Sequence, residues 1–170
     1  MDNIRDIIEY ARDLKNKKDV MDAVNYLVGK NMEITFPILK DIFFHPLTHQ
    51  EIRVEVGKVI ATTKSKPLYN LLLSHLILRN FSDLSAVIIT LGEYEDPEIY
   101  DYLIREFTTC NFQAQMAIIT AISKIHSVQS LEFFSKVYNG EIKSLSISPE
   151  NYQLLKEKAG EALQNQVVDL

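Results

Sequence analysis

Tryptophan is absent from this chain of 170 residues, cysteine occurs once, and glycine and proline occur five times each. A single cysteine, Cys110, excludes an intrachain disulfide and suits a reducing compartment. Scarce glycine and the lack of any sustained two-residue apolar alternation argue against strands. A basic excess is missing too: 18 Lys and Arg face 23 Asp and Glu, for a formal charge of −5. Duplex-DNA binding draws much of its affinity from neutralised phosphates, so this balance speaks against nucleic acid and against anionic membrane surfaces. No apolar run approaches the roughly 18 to 20 residues of a membrane span. The longest, Leu71–Leu78, is interrupted by Ser74 and His75. The opening stretch MDNIRDIIEYARDL carries acids where a signal peptide needs positive charge. The expectation is a cytoplasmic protein without a membrane partner, in which the sequon Asn80-Phe81-Ser82 is coincidental. The 46% hydrophobic and 24% charged residues suit one folded domain or one short repeat array.

What the chain does have is helical periodicity. Ile4, Ile7, Ile8, Ala11 and Leu14 form one apolar stripe and predict a first helix over 3–16. Asp19 is the predicted N-cap of a second helix carrying Val20, Ala23, Val24 and Leu27. Ile34, Ile38, Ile42 and Phe43 continue the pattern until His45-Pro46, where proline disfavours helical geometry in the residue before it. Ser148-Pro149-Glu150 sets a cap, a first-turn proline and a first-turn acid ahead of a last helix over 149–165, with Tyr152, Leu155, Ala159 and Leu163 on its stripe. The fold class is all-α.

Between these ends the sequence resembles itself. Ile60, Leu91 and Ile122 are spaced by 31 residues, as are Val56, Val87 and Ile118. The same spacing relates Tyr69, Tyr100 and Leu131; Leu72, Leu103 and Phe134; and Leu76, Phe107 and Tyr138. A shift of 33 adds an earlier copy, matching Ala23 to Val56, Leu27 to Ile60, Phe36 to Tyr69 and Leu39 to Leu72. The two extra residues fit the loop His45–His49. A phase held through helix, turn and helix in four copies means stacked units over 19–140, each too small to bury its own apolar face.

The stretch Ile52–Ala61, IRVEVGKVIA, resembles the inner helix of HEAT-like repeats of the phycobiliprotein-lyase type, whose pattern runs approximately V-R-x-x-A-A-x-A-L-G. Leu91–Ile99, LGEYEDPEI, is similar to that family's L-G-x-I-G-D-P-E-A turn, and Tyr102-Leu103-Ile104 follows where the next helix packs. The resemblance implies a right-handed α-α superhelix, a HEAT/armadillo-like solenoid of about four helical hairpins. In it, 3–16 and 149–165 become capping helices. The family's arginine is kept only at Arg53 and becomes Val20, Leu84 and Gln115 elsewhere; its turn Asp-Pro is kept only at Asp96-Pro97.

Candidate chemistry is sparse. His45 and His49 stand four apart, the spacing of two zinc ligands on a helix, but Pro46 puts them in a loop and no H-E-x-x-H pattern accompanies them. His75 and His126 are isolated. Cys110 has no local base and reads as a buried structural thiol. Glu93, Glu95, Asp96 and Glu98 could act as paired carboxylates, yet on a turn and helix start they read as solvated caps. Arg12, Lys15, Lys17 and Lys18 form a basic run at a helix end. No glycine-rich phosphate loop or dinucleotide fingerprint occurs. The expectation is no catalytic residue, no metal and no cofactor.

In the HEAT-like register, the helix carrying the Arg53 pattern lines the concave side. The positions left free of the core are Met21, Val54, Ser85 and Met116 in one column, then Asn25, Lys58, Ile89 and Thr120 in another. Asp22, Glu55, Ala86 and Ala117 lie beside them. Apolar groups in solvent-facing places mark an interaction surface, and methionine adapts to a partner's shape. A phase one position away would instead return these side chains to the core. The expected function is a non-catalytic protein–protein interaction scaffold, monomeric or weakly homo-oligomeric, whose acidity suits a basic partner. The resemblance implies two alternatives. One is bilin-lyase-like or chaperone-like action on a cofactor or a chromophore-bearing protein. The other, further off, is nucleic-acid binding as in HEAT-like alkylpurine glycosylases, whose concave face is basic; here Lys58 is the strip's lone cation.

Overall fold

The computed structural model describes residues 4–30, 32–142 and 147–168. Asn3 and the side chains of Ile4 and Ile34 lie outside the described residues. Among those described there are helices and no strands. They are α1 (Ile4–Tyr10), α2 (Lys17–Val28), α3 (Met32–Phe44), α4 (Gln50–Ala61), α5 (Lys66–Leu78), α6 (Leu84–Gly92), α7 (Tyr100–Phe107), α8 (Phe112–Ile122), α9 (Val128–Tyr138) and α10 (Pro149–Val168). Short 3₁₀ turns precede α2 and α7, at Leu14–Asn16 and Pro97–Ile99. No described helix is long and apolar enough to cross a membrane.

Packing follows the apolar columns. The even-numbered helices α2, α4, α6, α8 and α10 form one row, each against the next, while α3, α5, α7 and α9 pack on α4, α6, α8 and α10. Residues 31 apart land in equivalent places. Val56, Val87 and Ile118 are fully buried, as are Ile60, Leu91 and Ile122, and Leu72, Leu103 and Phe134. Each such side chain contributes about 1.5–3 kcal/mol by leaving water. The last column stops at Tyr138, which is 51% exposed where Leu76 and Phe107 are buried. It closes the final odd-numbered helix, and its ring lies against Gly160 of α10. Enclosed by α4, α5 and α8, α6 is the most apolar helix, and seven of its nine residues are buried.

Two glycines set the spacing of the row. A Cβ on Gly57 would run into the Thr90 hydroxyl and the Phe43 ring. One on Gly92 would lie 2.6 Å from the Cα of Ala121, so α6 and α8 meet backbone to backbone there. The turns repeat as well. Lys64 and Glu95, 31 residues apart, both take left-handed backbone (φ 50° and 56°), and Ser65, Asp96 and Ser127 precede the helical turns that follow. Asp96 accepts from the backbone N–H of Glu98 at 2.9 Å, and Ser127 from that of Ser130 at 3.1 Å. At α10, the Ser148 hydroxyl accepts from the Asn151 N–H. The Glu150 carboxyl is held below its usual range by its own backbone N–H and then by Ser148.

Three expectations need correction at the ends. The first helix stops at Tyr10 rather than running to residue 16. The Ala11 carbonyl accepts from the His49 N–H at 2.7 Å, and the Asp13 carboxylate accepts from the Lys15 N–H, so the stripe breaks and Leu14 is 39% exposed. Asp19 is not an N-cap: α2 begins two residues earlier, behind Asn16, and Asp19 lies in its first turn. The final helix continues past 165 to Val168.

Candidate interaction surface

The strip residues come from four successive helices of the row. Met21, Val54, Ile89 and Met116 are half-buried, each resting partly on the core. They recur at corresponding levels of α2, α4, α6 and α8, with Ile89 one helical turn further along than the other three. The polar members are more open: Asp22 and Asn25 are exposed, while Glu55, Lys58 and Thr120 are half-buried. Ser85 is buried, as are Ala86 and Ala117, so α6 contributes Ile89 alone to the accessible part of the strip. Charges here are paired along their own helices. Lys58 reaches Glu55 at 3.2 Å and Lys18 reaches Asp22 at 2.7 Å. The Thr120 hydroxyl donates to the Met116 carbonyl, and the methionine side chain is half-buried beside it.

The residues weighed for chemistry separate into structural positions. His49 accepts the Glu51 N–H at the start of α4, and His45 accepts the Leu47 N–H in the loop before it. His75 lies against Phe44 and Phe81, ring centroids 4.6 and 5.7 Å away, with Nδ1 2.5 Å from the Asn80 amide oxygen. His126 is exposed in the turn after α8. Of the acidic run, Asp96 caps and Glu95 holds the left-handed turn, while Glu93 stands 3.7 Å from Lys124. Arg12 is paired with Glu9 at 2.9 Å. No group of three His, Cys, Asp or Glu among the described residues is placed to hold a metal ion.

Cys110 borders a cleft of about 180 Å³ at the C-terminal ends of α5 and α7 and the start of α8, with Arg79, Glu106 and Asn111. Burial, then the Glu106 carboxylate, pushes its thiol up to about 11. The thiol therefore stays protonated at neutral pH, which is the wrong form for a nucleophile. Arg79 is committed to Glu106 at 2.6 Å and to the Thr109 hydroxyl at 2.7 Å.

Two features of the structure went unseen in the sequence. One is the environment of Arg53, whose side chain is 5% exposed. It donates to the carbonyls of Phe43 and His45 at 2.8 Å each, pairs with Asp83 at 2.6 Å, and lies over the Phe81 ring. The other is Gln166, 3% exposed, which spans from α10 to the end of α8. A signal was present: Leu155, Ala159, Ala162 and Gln166 share one helical face, so an amide occupies a core position.

No family model matches this chain, and neither a curated protein nor a solved structure was found to match it.

Proposed function

We propose that this chain is a non-catalytic protein–protein interaction scaffold, a short HEAT-like solenoid that binds its partner along the row α2, α4, α6 and α8. One observation carries the reading: half-buried Met21, Val54, Ile89 and Met116 form a broken apolar line across four successive helices, edged by Asn25, Lys58 and Thr120. A repeating line of accessible apolar groups on rigid helices suits a peptide or helix laid across the row. The proposed protein is cytoplasmic, monomeric or weakly self-associating, and independent of nucleic acid, membrane and cofactor.

The test is capture from the native lysate by the wild type, beside the double variant Ile89→Glu/Met116→Glu. Loss of one specific partner by a variant with unchanged circular dichroism supports the strip. A partner held equally by both moves the site to the odd-numbered helices or the loops. No partner at all turns attention to the chromophore-handling alternative.

A further inference from the structure

We propose that the cleft shared by the starts of α6 and α8 is a binding site for a carboxylate monoanion. The cleft holds about 180 Å³, and its walls bring together the first turns of both helices and Arg79. The caps Asp83 and Asn111 each accept one backbone N–H, that of Ala86 at 3.2 Å and that of Ala114 at 3.0 Å. The first N–H groups of a helix have no carbonyl four residues back within it to bond. Those of Leu84, Ser85 and Gln113 therefore stay without an acceptor among the described residues, and all three residues border the cleft. Arg79 uses one nitrogen, Nη2, for both Glu106 and Thr109, so Nε and Nη1 remain to donate.

Ser85 points to a ligand independently. It is 9% exposed, yet its hydroxyl makes no hydrogen bond among the described residues. That hydroxyl is not sealed in, unlike the unpartnered oxygens of Gln115 and Gln166, and it keeps contact with solvent. At the second position of α6 its Cα–Cβ bond tilts back toward the helix start, where the cleft lies. A buried hydroxyl without a partner is unfavourable, and an acceptor entering the cleft relieves it.

The acceptors nearby are already taken. At the end of α7 the Phe107 carbonyl accepts from Gln115 Nε2 at 2.6 Å, and the Glu106 carbonyl from the Cys110 N–H at 3.0 Å. The carboxylates of Glu106 and Asp83 are paired with Arg79 and Arg53, at 2.6 Å each. What remains is a set of converging donors. The two carboxylates also set the charge of the ligand, because they repel a second negative charge and so favour a carboxylate over a phosphate dianion. A free short-chain acid and the C-terminus of a peptide offer the same group.

The experiment is an NMR titration of the isotope-labelled full chain with acetate, acetamide, inorganic phosphate and N-acetyl-dialanine, each at matched ionic strength. The expected result is saturable shifts of the Leu84, Ser85 and Gln113 amides with acetate, at a dissociation constant of about 1–10 mM for so small a ligand. Acetamide should give no saturable shift. Tighter binding of the peptide than of acetate would support the site and assign it to a chain end; equal or weaker binding would support it and assign it to a free acid. Ser85→Ala removes a hydroxyl that bonds to nothing in the fold, so its melting temperature should be no lower than that of the wild type. Its acetate binding should weaken about tenfold. Glu106→Gln removes a competing charge and should tighten binding. Linear shifts with acetate, an equal response to acetamide, tighter binding of phosphate than of acetate, or undiminished binding by Ser85→Ala would overturn the proposal.

Discussion

Arg53 and Gln115 stand at equivalent positions of α4 and α8 and meet the same difficulty in different ways. Each faces backbone carbonyls left over where the preceding odd-numbered helix ends. Arg53 takes two of them, from Phe43 and His45, and its charge then requires a counterion, Asp83. Asp83 also accepts the Ala86 N–H. As a result α6 starts three residues later than the 31-residue spacing from His49 would place it, and Phe81 fills the space over the guanidinium. Gln115 takes one carbonyl, from Phe107, at 2.6 Å, and needs no counterion. Its own Oε1 remains buried and unpartnered. A charge at this position ties three segments together; an amide joins two and makes a weaker joint.

The largest effect is expected from Arg53→Met, which strands the Asp83 carboxylate, 11% exposed, and two carbonyls. Urea denaturation should register a loss of about 3–5 kcal/mol. Adding Asp83→Asn, which keeps a capping oxygen and removes the charge, should restore part of it; a strictly additive double variant would mean the pair is not coupled. Next come the glycines of the two joints. Gly92→Ala and Gly57→Ala should each cost about 1–3 kcal/mol by overpacking. Gly92→Ala should be the worse, since Ala121 meets it with backbone and Gly57 is met by side chains. Gln115→Leu should cost about 1 kcal/mol, because it frees the Phe107 carbonyl while removing the unpartnered oxygen. A loss as large as that of Arg53→Met would abolish the distinction between the joints.

The smallest effect is alkaline. Burial pushes the hydroxyls of Tyr94 and Tyr100 up to about 12, and they donate to the carbonyls of Ser65 and Gln129 across neighbouring turns. The Tyr69 hydroxyl, buried without a partner in good geometry, is raised by burial and then by the Asp96 carboxylate. A phenol raised in the fold stabilises it fully below its unfolded pKa near about 10, and that contribution disappears as pH rises through the folded value. Stability should therefore fall between about pH 10 and 12, and Tyr94→Phe should flatten the fall. Thermal melts across that range would measure it.

Much of the helical layout was legible because its cause is local. The columns spaced by 31 residues place the buried faces of α4, α6 and α8 correctly, and Ser148-Pro149 marks the start of α10. What was not legible depends on partners remote in sequence. Nothing near Ala11 announces that its carbonyl is taken by His49, so the break after α1 is invisible until α4 is in place. The strip was placed by phase alone. Phase separates core from surface on α2 and α4, but Ser85, Ala86 and Ala117 are covered by neighbouring helices that a single helix cannot show. The role of Gln166 likewise needs the end of α8 beside it.

The side-chain bonds between successive turns have one common length. Arg53 to Asp83, Lys64 to the Glu93 and Tyr94 carbonyls, Arg79 to Thr109, and Tyr100 to Gln129 each span 29 or 30 residues. Every such joint closes a loop of nearly the same size, at nearly the same entropic cost, without waiting for distant parts of the chain to meet. Assembly can then proceed as a zipper from any segment that forms first, and low contact order places folding in the microsecond to millisecond range typical of helical proteins. The same locality grades the native state, so amide exchange should be slowest in α6, enclosed by α4, α5 and α8, and faster toward α1.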